Sequence, residues 1–504
     1  MSMRVIYSDY SEDRVGWFFG LRGWQLAVVA GAALPVFGAV QAQRWQLAGE
    51  LVLLWLVVVV LTVIRVRGRS AVGWFWASGC QLVATASGAR SFVARATRGR
   101  VEDPGRVDLP GLLQSVQIHD GPPHGPRLER TAIIQNHASR TWAVTAAVVH
   151  PGIGMADAPE RDRQAGGLAA LIELASRTEL VDEVILLVRT VPDDGAERQV
   201  WVQRHRTPTG PAVAREVNDD LQRGLSQASV RTESFVTIVV PEGRMGRHAR
   251  ESGGGVGGRA RVLYSLMSEV EAQLRGGMAM TDVRWLTSPD LALACRTGFA
   301  PGDRAGIIDA LAESETDSSV NAEVPWSMAG PSGADTAARH YSHDAWNSVT
   351  ATLRLPTKGA SMGALAPVLV PTEPGERRSF MVAFPILKQS AAERRSDAAE
   401  FAADMGGALR QRAGVKPRAR HRNDARKAYG MDEKLAGGSA MTRPYAVCCV
   451  TVPKTLPASE FGRRLDASVR RAGFAPLRLD LAQDAGFAAS TVPLGVSLNR
   501  RSQT

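Results

Sequence analysis

The chain is poor in cysteine and histidine, with four of the first and nine of the second in 504 residues. Cys80, Cys295, Cys448 and Cys449 form no C-x-x-C, and the adjacent pair sits in an apolar run that reads as a strand. A disulfide framework and a thiolate metal site are therefore both unexpected, and a reducing compartment fits. His340, His343 and Asp344 make an H-x-x-H-D string that is too local for zinc and lacks further ligands at zinc spacing. His119, Asp120 and His124 lie in a Gly/Pro-rich loop. A nucleotide-driven motor needs G-x-x-x-x-G-K-S/T, whose amides and lysine hold the phosphates. The run from Gly253 to Arg259 has glycines but no Lys-Ser/Thr, and the loop 243–258 around it reads as a flexible connection. No G-x-S-x-G elbow, Cys/His constellation or kinase signature occurs. Asp193-Asp194 and Asp219-Asp220, the paired acids a metal-dependent nuclease would want, read more simply as solvated turn and helix residues. No catalytic residue, cofactor or metal is expected.

A mean hydropathy of -0.09 excludes a polytopic transporter. With 45% hydrophobic and 22% charged residues, most of the chain is globular. Its length suits ~2–4 compact units, and no period of 20–50 residues points to a solenoid. The net charge of +10 suits an anionic lipid surface or a nucleic-acid partner, and an arginine-rich genome produces the same surplus.

Two apolar stretches stand out, 24–40 and 47–64, each near the length that crosses a bilayer core. The short connection holds Trp45 at interfacial level, so 23–65 reads as a transmembrane hairpin with both ends on one side. A signal peptide is the poorer reading, because the first run begins only after residue 23 and a second follows at once. Arg4, Arg14 and Arg22 precede the hairpin, Arg65, Arg67 and Arg69 follow it, and Arg44 alone occupies the turn. That bias puts both termini in the cytoplasm, with residues 1–22 as a short cytoplasmic segment. Trp24, Trp45 and Trp55 are candidate membrane contacts, and Arg65, Arg67 and Arg69 candidate contacts with anionic lipid. Residues 66–104 form a basic juxtamembrane segment, read as an amphipathic piece lying on the surface or as a solvated linker helix.

The rest alternates strand and helix patterns. Strands are expected at 131–135, 141–149, 183–191, 234–240 and 282–286, and a helix opens on the capping box Asp157-x-x-Glu160. Further helices are expected at 211–225, after Gly258 and from Ser288. This order describes an α/β sandwich over 105–311. A Ser/Ala/Gly-rich linker, 312–340, precedes a second α+β domain, 341–504, with strands at 346–355, 379–385, 444–452 and 477–479. The fold class is thus α/β (α+β): a two-helix membrane hairpin followed by two cytoplasmic α/β sandwich-like domains. Within the second domain, Lys416, Arg418, Arg420, Arg422, Arg426 and Lys427 form a basic segment. It reads as an arm for nucleic acid, lipid or an acidic partner, or as a solvated helical face.

Taken together, YSDYSEDRVGWFFGLRGWQLAVVAGAALPVF, RVRGRSAVGWFWA from Arg65, IHDG from Ile118, RTWAVTAAVV from Arg140 and LVRTVPDDGAE from Leu187 form a pattern. With AGFAPLRLDLAQDAGFAASTVPLG from Ala472, they resemble an actinobacterial family of conjugation-type membrane proteins with a PrgI-like hairpin. The body is also similar to the non-catalytic N-terminal domain of type IV secretion ATPases, and more distantly to EccE of type VII secretion. The resemblance implies a structural component of a conjugative, type IV secretion-like channel in the bacterial inner membrane. It would dock a separate ATPase beside a polytopic channel subunit, as part of an oligomeric complex. An EccE-like role in type VII secretion and a membrane-tethered enzyme such as a nuclease are the alternatives.

Overall fold

The computed structural model describes residues 23–498 apart from 64, 67–68, 89, 102, 153–155, 193–194, 207–208, 229, 355–362, 374 and 413–418. They divide into two compact units, one of 91–392 and 438–498, the other of 23–90 and 393–437.

The smaller unit begins with α1 (Gly23–Gln41) and α2 (Trp45–Val63), joined by a turn in which Gln43 takes a positive φ of 52°. α2 spans about 28 Å at 1.5 Å per residue, close to a bilayer's hydrocarbon thickness. Its 18-residue window Trp45–Thr62 is long and apolar enough to cross a membrane, and only 11% of it is buried, unlike the core helix of a soluble protein. The apolar part of α1, Ala27–Gln41, is shorter, and Pro35 interrupts its hydrogen bonding. Among the described residues, then, one helix meets the length for crossing. Two short strands, β1 (Arg65–Val66) and β2 (Arg69–Ser70), pair as a tiny antiparallel ladder ahead of α3 (Ala71–Ala86).

The larger unit opens with β3 (Ser91–Val93). A first series runs β4 (Val116–Asp120), β5 (Ala132–Asn136), β6 (Thr141–Val149), α4 (Ala158–Arg177) and β7 (Glu183–Pro192). It continues through α5 (Ala196–His205), α6 (Ala212–Ala228), β8 (Val230–Pro241), α7 (Glu242–Glu251) and α8 (Gly255–Gly276). It ends with β9 (Asp282–Trp285) and α9 (Ser288–Phe299), and α10 (Arg304–Ser314) leads onward. The second series has β10 (Gly333–Thr336), β11 (Tyr341–His343), β12 (Trp346–Arg354), α11 (Ala366–Leu369) and β13 (Arg377–Pro385). Next come α12 (Gln389–Arg412) and α13 (Ala419–Ala436), most of which belong to the smaller unit. β14 (Tyr445–Pro453), α14 (Ala458–Arg471), β15 (Ala475–Arg478) and α15 (Gln483–Thr491) complete it.

All these strands from β3 on join one antiparallel sheet of 13 strands, ordered β3-β10-β11-β12-β14-β13-β7-β8-β6-β5-β4, with β15 on β12 and β9 on β6. From the centre outward, β7-β8-β6-β5-β4 with β9 branching from β6 repeats as β13-β14-β12-β11-β10 with β15 branching from β12. The centre is the antiparallel pair β7:β13, in which Met381 faces Leu187. Thr141 faces Pro241 in one half, and Trp346 faces Pro453 in the other, so the ladders match in register as well as order. The helices repeat too: a two-helix excursion separates β7 from β8 and β13 from β14. The stretches 116–299 and 333–491 are thus two copies of one topology sharing a single sheet. The repeat length is roughly 200 residues, far beyond the periods that mark a solenoid.

Both faces are covered, which is why the inner strands read as near-continuous apolar runs. On one face a single core crosses both halves, from Ile134, Leu187 and Val239 to Met381 and Cys449, under α9 and α15. The opposite face carries separate cores. Val144, Val184 and Ile238 lie with Leu171, Met245 and Leu263, and Ala351, Cys448 and Val450 lie with Val368, Phe461 and Leu465. The halves also exchange cover. Trp326, ahead of β10, donates its indole N–H to Ser288 at the start of α9, while Thr145 of β6 donates to the Pro493 carbonyl beyond α15.

Asp157 caps α4 as its spacing implied, accepting from the Glu160 amide at 2.9 Å. Three expectations change. The stretch 312–340 carries the buried Trp326 and strand β10, so its later part packs with the sheet. The glycine loop 243–258 is largely helical: α7 and α8 leave only 252–254 between them. The strand expected from 379 begins at Arg377, with two arginines inside it.

Candidate functional site

The densest polar cluster lies where the two halves meet, on the face under α9 and α15. Arg189 of β7 and Arg377 of β13 are each 1% exposed. Arg189 donates through Nε to Glu233 of β8 at 2.6 Å, and through Nη1 to the carbonyls of Ala294 (2.9 Å) and Thr491 (3.1 Å). Its Nη2 donates to Thr297 Oγ1 at 2.9 Å. Arg377 donates to the Thr297 carbonyl (2.9 Å) and to Thr451 Oγ1 (3.1 Å). Arg377 therefore lies on the last turn of α9, and Arg189 on the C-terminal half of α9 and the last residue of α15, where unpaired end carbonyls and the negative end of the helix dipole favour a cation.

Burial opposes ionisation of Glu233, yet the charge and hydrogen bond of Arg189, with Arg231 and Arg304, hold its carboxyl below the usual range. Burial, and Arg189 beside it, push Arg377 down to about 9, which leaves it charged at neutral pH. His343 is buried and its pKa lies well below 6.5, mainly through burial and then Arg377. A neutral ring facing the Phe299 carbonyl at 2.7 Å must donate through Nδ1, so Nε2 accepts from Ser348 at 2.8 Å. Ser348 in turn accepts from Thr451 at 2.7 Å, which accepts from Arg377. The donors thus run one way, Arg377 to Thr451 to Ser348 to His343 to Phe299. A second buried pair, Arg378 and Glu376, lies on the opposite face, 2.6 Å apart and each 0% exposed. It ties α14 in through Ser468 and α11 through the Val368 carbonyl.

Chemically this network fastens elements together. His343 and Ser348 have the spacing of a base and a nucleophile, but both are 0% exposed, so no substrate reaches them. Among the described residues no group of three or more His, Cys, Asp or Glu is placed to hold a metal. Asp344 is engaged by Arg296 (3.2 Å) and by the Ser332 amide (2.7 Å). His119 bonds Gln135, and Asp219 pairs with Arg206 at 3.3 Å. Asp193 and Asp194 lie outside the described residues.

The residues singled out for membrane contact are spread along the smaller unit. Trp45, at the start of α2, is 69% exposed. Trp55 is half-buried and donates its indole N–H to the Val29 carbonyl of α1 at 3.0 Å, so it ties the two helices together. Trp24 lies on α1, and Arg65 and Arg69 on β1 and β2, with side chains outside the description; Arg67 is outside it altogether. α3 contains no charged residue and exposes Phe75 (82%) and Leu82 (70%), an apolar surface stronger than an amphipathic surface segment requires.

In the basic segment, Lys416 and Arg418 lie outside the described residues. Arg420 and Arg422 fall on α13, with side chains outside the description; Arg426 is exposed and Lys427 half-buried there. α13 is joined to α12 by a hydrogen bond from the Tyr429 hydroxyl to Asp404. The segment is thus in large part helix rather than an extended arm, and farther along it carries Asp432 and Glu433.

The buried arginine network was not read from the sequence. The signal was present in Arg189 within EVILLVRTVP and in Arg377-Arg378 ahead of an apolar run, since charges inside a doubly covered strand must be paired. Together, fold and cluster define a mixed helix-and-sheet protein with a large antiparallel sheet and, among the described residues, one helix long and apolar enough to cross a membrane. No protein-family model matches the chain, and no curated protein matches it.

Proposed function

We propose that this protein is a membrane-anchored, non-enzymatic component of a conjugative, type IV secretion-like channel, holding a separate ATPase at the bacterial inner membrane. The observation that carries the reading is α2, an apolar helix of which only 11% of the stretch Trp45–Thr62 is buried, on a protein that also carries a large antiparallel sheet. An unburied helix of that length is covered by lipid or by other membrane helices. The uncharged α3 adds to the apolar surface of the same unit, and the first apolar helix would complete a hairpin with both ends in the cytoplasm. On this reading the motor and a polytopic channel subunit are the protein's partners, and anionic lipid meets Arg65, Arg67 and Arg69. The resemblance to the N-terminal domain of secretion ATPases makes a motor the natural partner of the body. The buried polar network suits a rigid platform, because docking requires a fixed surface and no reactive group.

The test uses the full chain in its native cell. Removing the protein should halt export of DNA or protein cargo while leaving the ATPase stable but released from the membrane. Retention of the ATPase at the membrane, or nucleotide turnover by the purified chain alone, would overturn the reading.

A further inference from the structure

The two halves of the sheet end differently. β10, the outer strand of the second half, is covered by β3, with Phe92 facing Ala334 and packing against the shared core. β4 holds the same place in the first half and ends the sheet there, with no strand beyond it among the described residues. Register makes the comparison residue by residue. Matching Thr141:Pro241 with Trp346:Pro453 aligns Ala143 with Ser348, then Ile134 with Tyr341 through the next ladder. The last ladders, Val116:Asn136 and Ala334:His343, then align Val116 with Ala334.

The backbone faces the same way at both edges. Gly121 donates to the Thr131 carbonyl, and Asp344 donates to that of Gly333. Since bonding alternates along an antiparallel ladder, the amides of Ile118 and Asp120 point outward, as does that of Ala334 toward β3. Beside this edge, Leu112 is 50% exposed, and Ile118 is half-buried against the same core that receives Phe92. Among the described residues the chain has no strand of its own for the place. The stretch ahead of β10 that would correspond to β3 is the helix α10.

We propose that the outer edge of β4 receives an extended strand from a partner protein, with a bulky apolar residue opposite Val116. The occupant's chemistry is that of β3: small or polar, then aromatic or branched, with backbone amides aligned for strand addition. A second copy of this chain fits worse. Two β4 edges paired about Ile118 would set the Asp120 carboxylate against Val116, an apolar position.

The experiment is amide hydrogen exchange on the full chain in detergent, with a synthetic peptide of residues 88–96, GARSFVARA, as the probe. Its own site on β10 is already held intramolecularly, at a high effective concentration. The peptide should slow exchange at Asp120 by about ten-fold, and a peptide with Phe92→Asp should not. Ile118→Pro removes one outward donor at a position an edge strand tolerates, and should abolish the effect. Ile118→Ala keeps the amide and should retain it. The proposal fails if millimolar peptide leaves Asp120 unchanged, or if both peptides protect it equally. It fails as well if the free chain already protects Ile118 as well as Ala334, or if light scattering shows a dimer shielding that edge.

Discussion

Arg189 and Arg377, on the two central strands, both donate to the C-terminal half of one helix, Arg189 to the Ala294 carbonyl and Arg377 to that of Thr297, each at 2.9 Å. Because Arg189 also bonds Thr491, the same two strands fasten the helices of both halves. Removing Arg189 leaves Glu233 buried with weaker partners and takes a donor from the Thr491 carbonyl at the end of α15. Arg189→Met should therefore destabilise the chain by about 3 kcal/mol, as broken buried ion pairs do. The double variant Arg189→Met/Glu233→Gln should recover part of the loss. Denaturant unfolding of the full chain in detergent measures both, and a loss below about 0.5 kcal/mol would show the network to be dispensable.

Glu183 and His343 give the chain opposite pH dependences. Burial pushes the Glu183 carboxyl up to about 7, against hydrogen bonds from Ser497 and Tyr445, with Asp182 adding to the rise. The folded state therefore binds a proton that the unfolded state has released. The stability this gives is full below pH 4.5 and is lost as pH rises through about 7. Glu183→Gln should remove that slope, raising Tm at pH 8 relative to the wild type and leaving it nearly unchanged at pH 4.5. His343 works the other way. Its lowered pKa makes stability fall as pH drops below 6.5, at up to about 1.4 kcal/mol per unit. Tm against pH for the wild type and Glu183→Gln checks both limbs, and parallel curves would refute the assignment to Glu183.

Adjacent glycines on α8 should behave differently. A Cβ on Gly258 would lie 2.3 Å from the Ala249 carbonyl of α7, whereas one on Gly257 meets nothing within 4 Å. Gly258→Ala should destabilise by about 2 kcal/mol through forced backbone separation. Gly257→Ala should be neutral or stabilise by up to about 1 kcal/mol, the helix preference of alanine over glycine. Equal effects in thermal unfolding would point back to a flexible loop.

Much of the sheet was legible because its strands are long, β-branched and bounded by turn residues. The run 183–191 became β7, and the apolar run around Cys448 and Cys449 became β14. Asp157 and Glu160 announced a helix start through local chemistry alone. What escaped depends on distant partners. β10 and β11 are short and lie in and just after a Ser/Ala/Gly-rich stretch, and the core around Ala334 and Tyr341 makes them strands. The internal duplication leaves few matched residues, such as Thr145 with Thr350 and Pro241 with Pro453, which no short-period search detects. The arginines of the central cluster look solvent-facing by residue type, and their burial comes from helices far along the chain.

Leu54 stands at the middle of α2 and is 61% exposed. If lipid covers that surface, Leu54→Arg should cost insertion about 3 kcal/mol. Alkaline extraction of membranes should then move a large share of the variant into the soluble fraction, while Leu54→Phe stays with the membrane. Equal retention of both variants would mean that protein, not lipid, surrounds the helix.

The most direct measurement is cross-linking of native membranes, followed by purification through a tag on this chain and identification of the attached subunits. The account predicts a Walker-motif ATPase and a polytopic membrane subunit, recovered together and in fixed ratio, with both lost when α2 carries Leu54→Arg. Recovery of the chain without an ATPase, from membranes shown to contain an active one, would contradict it.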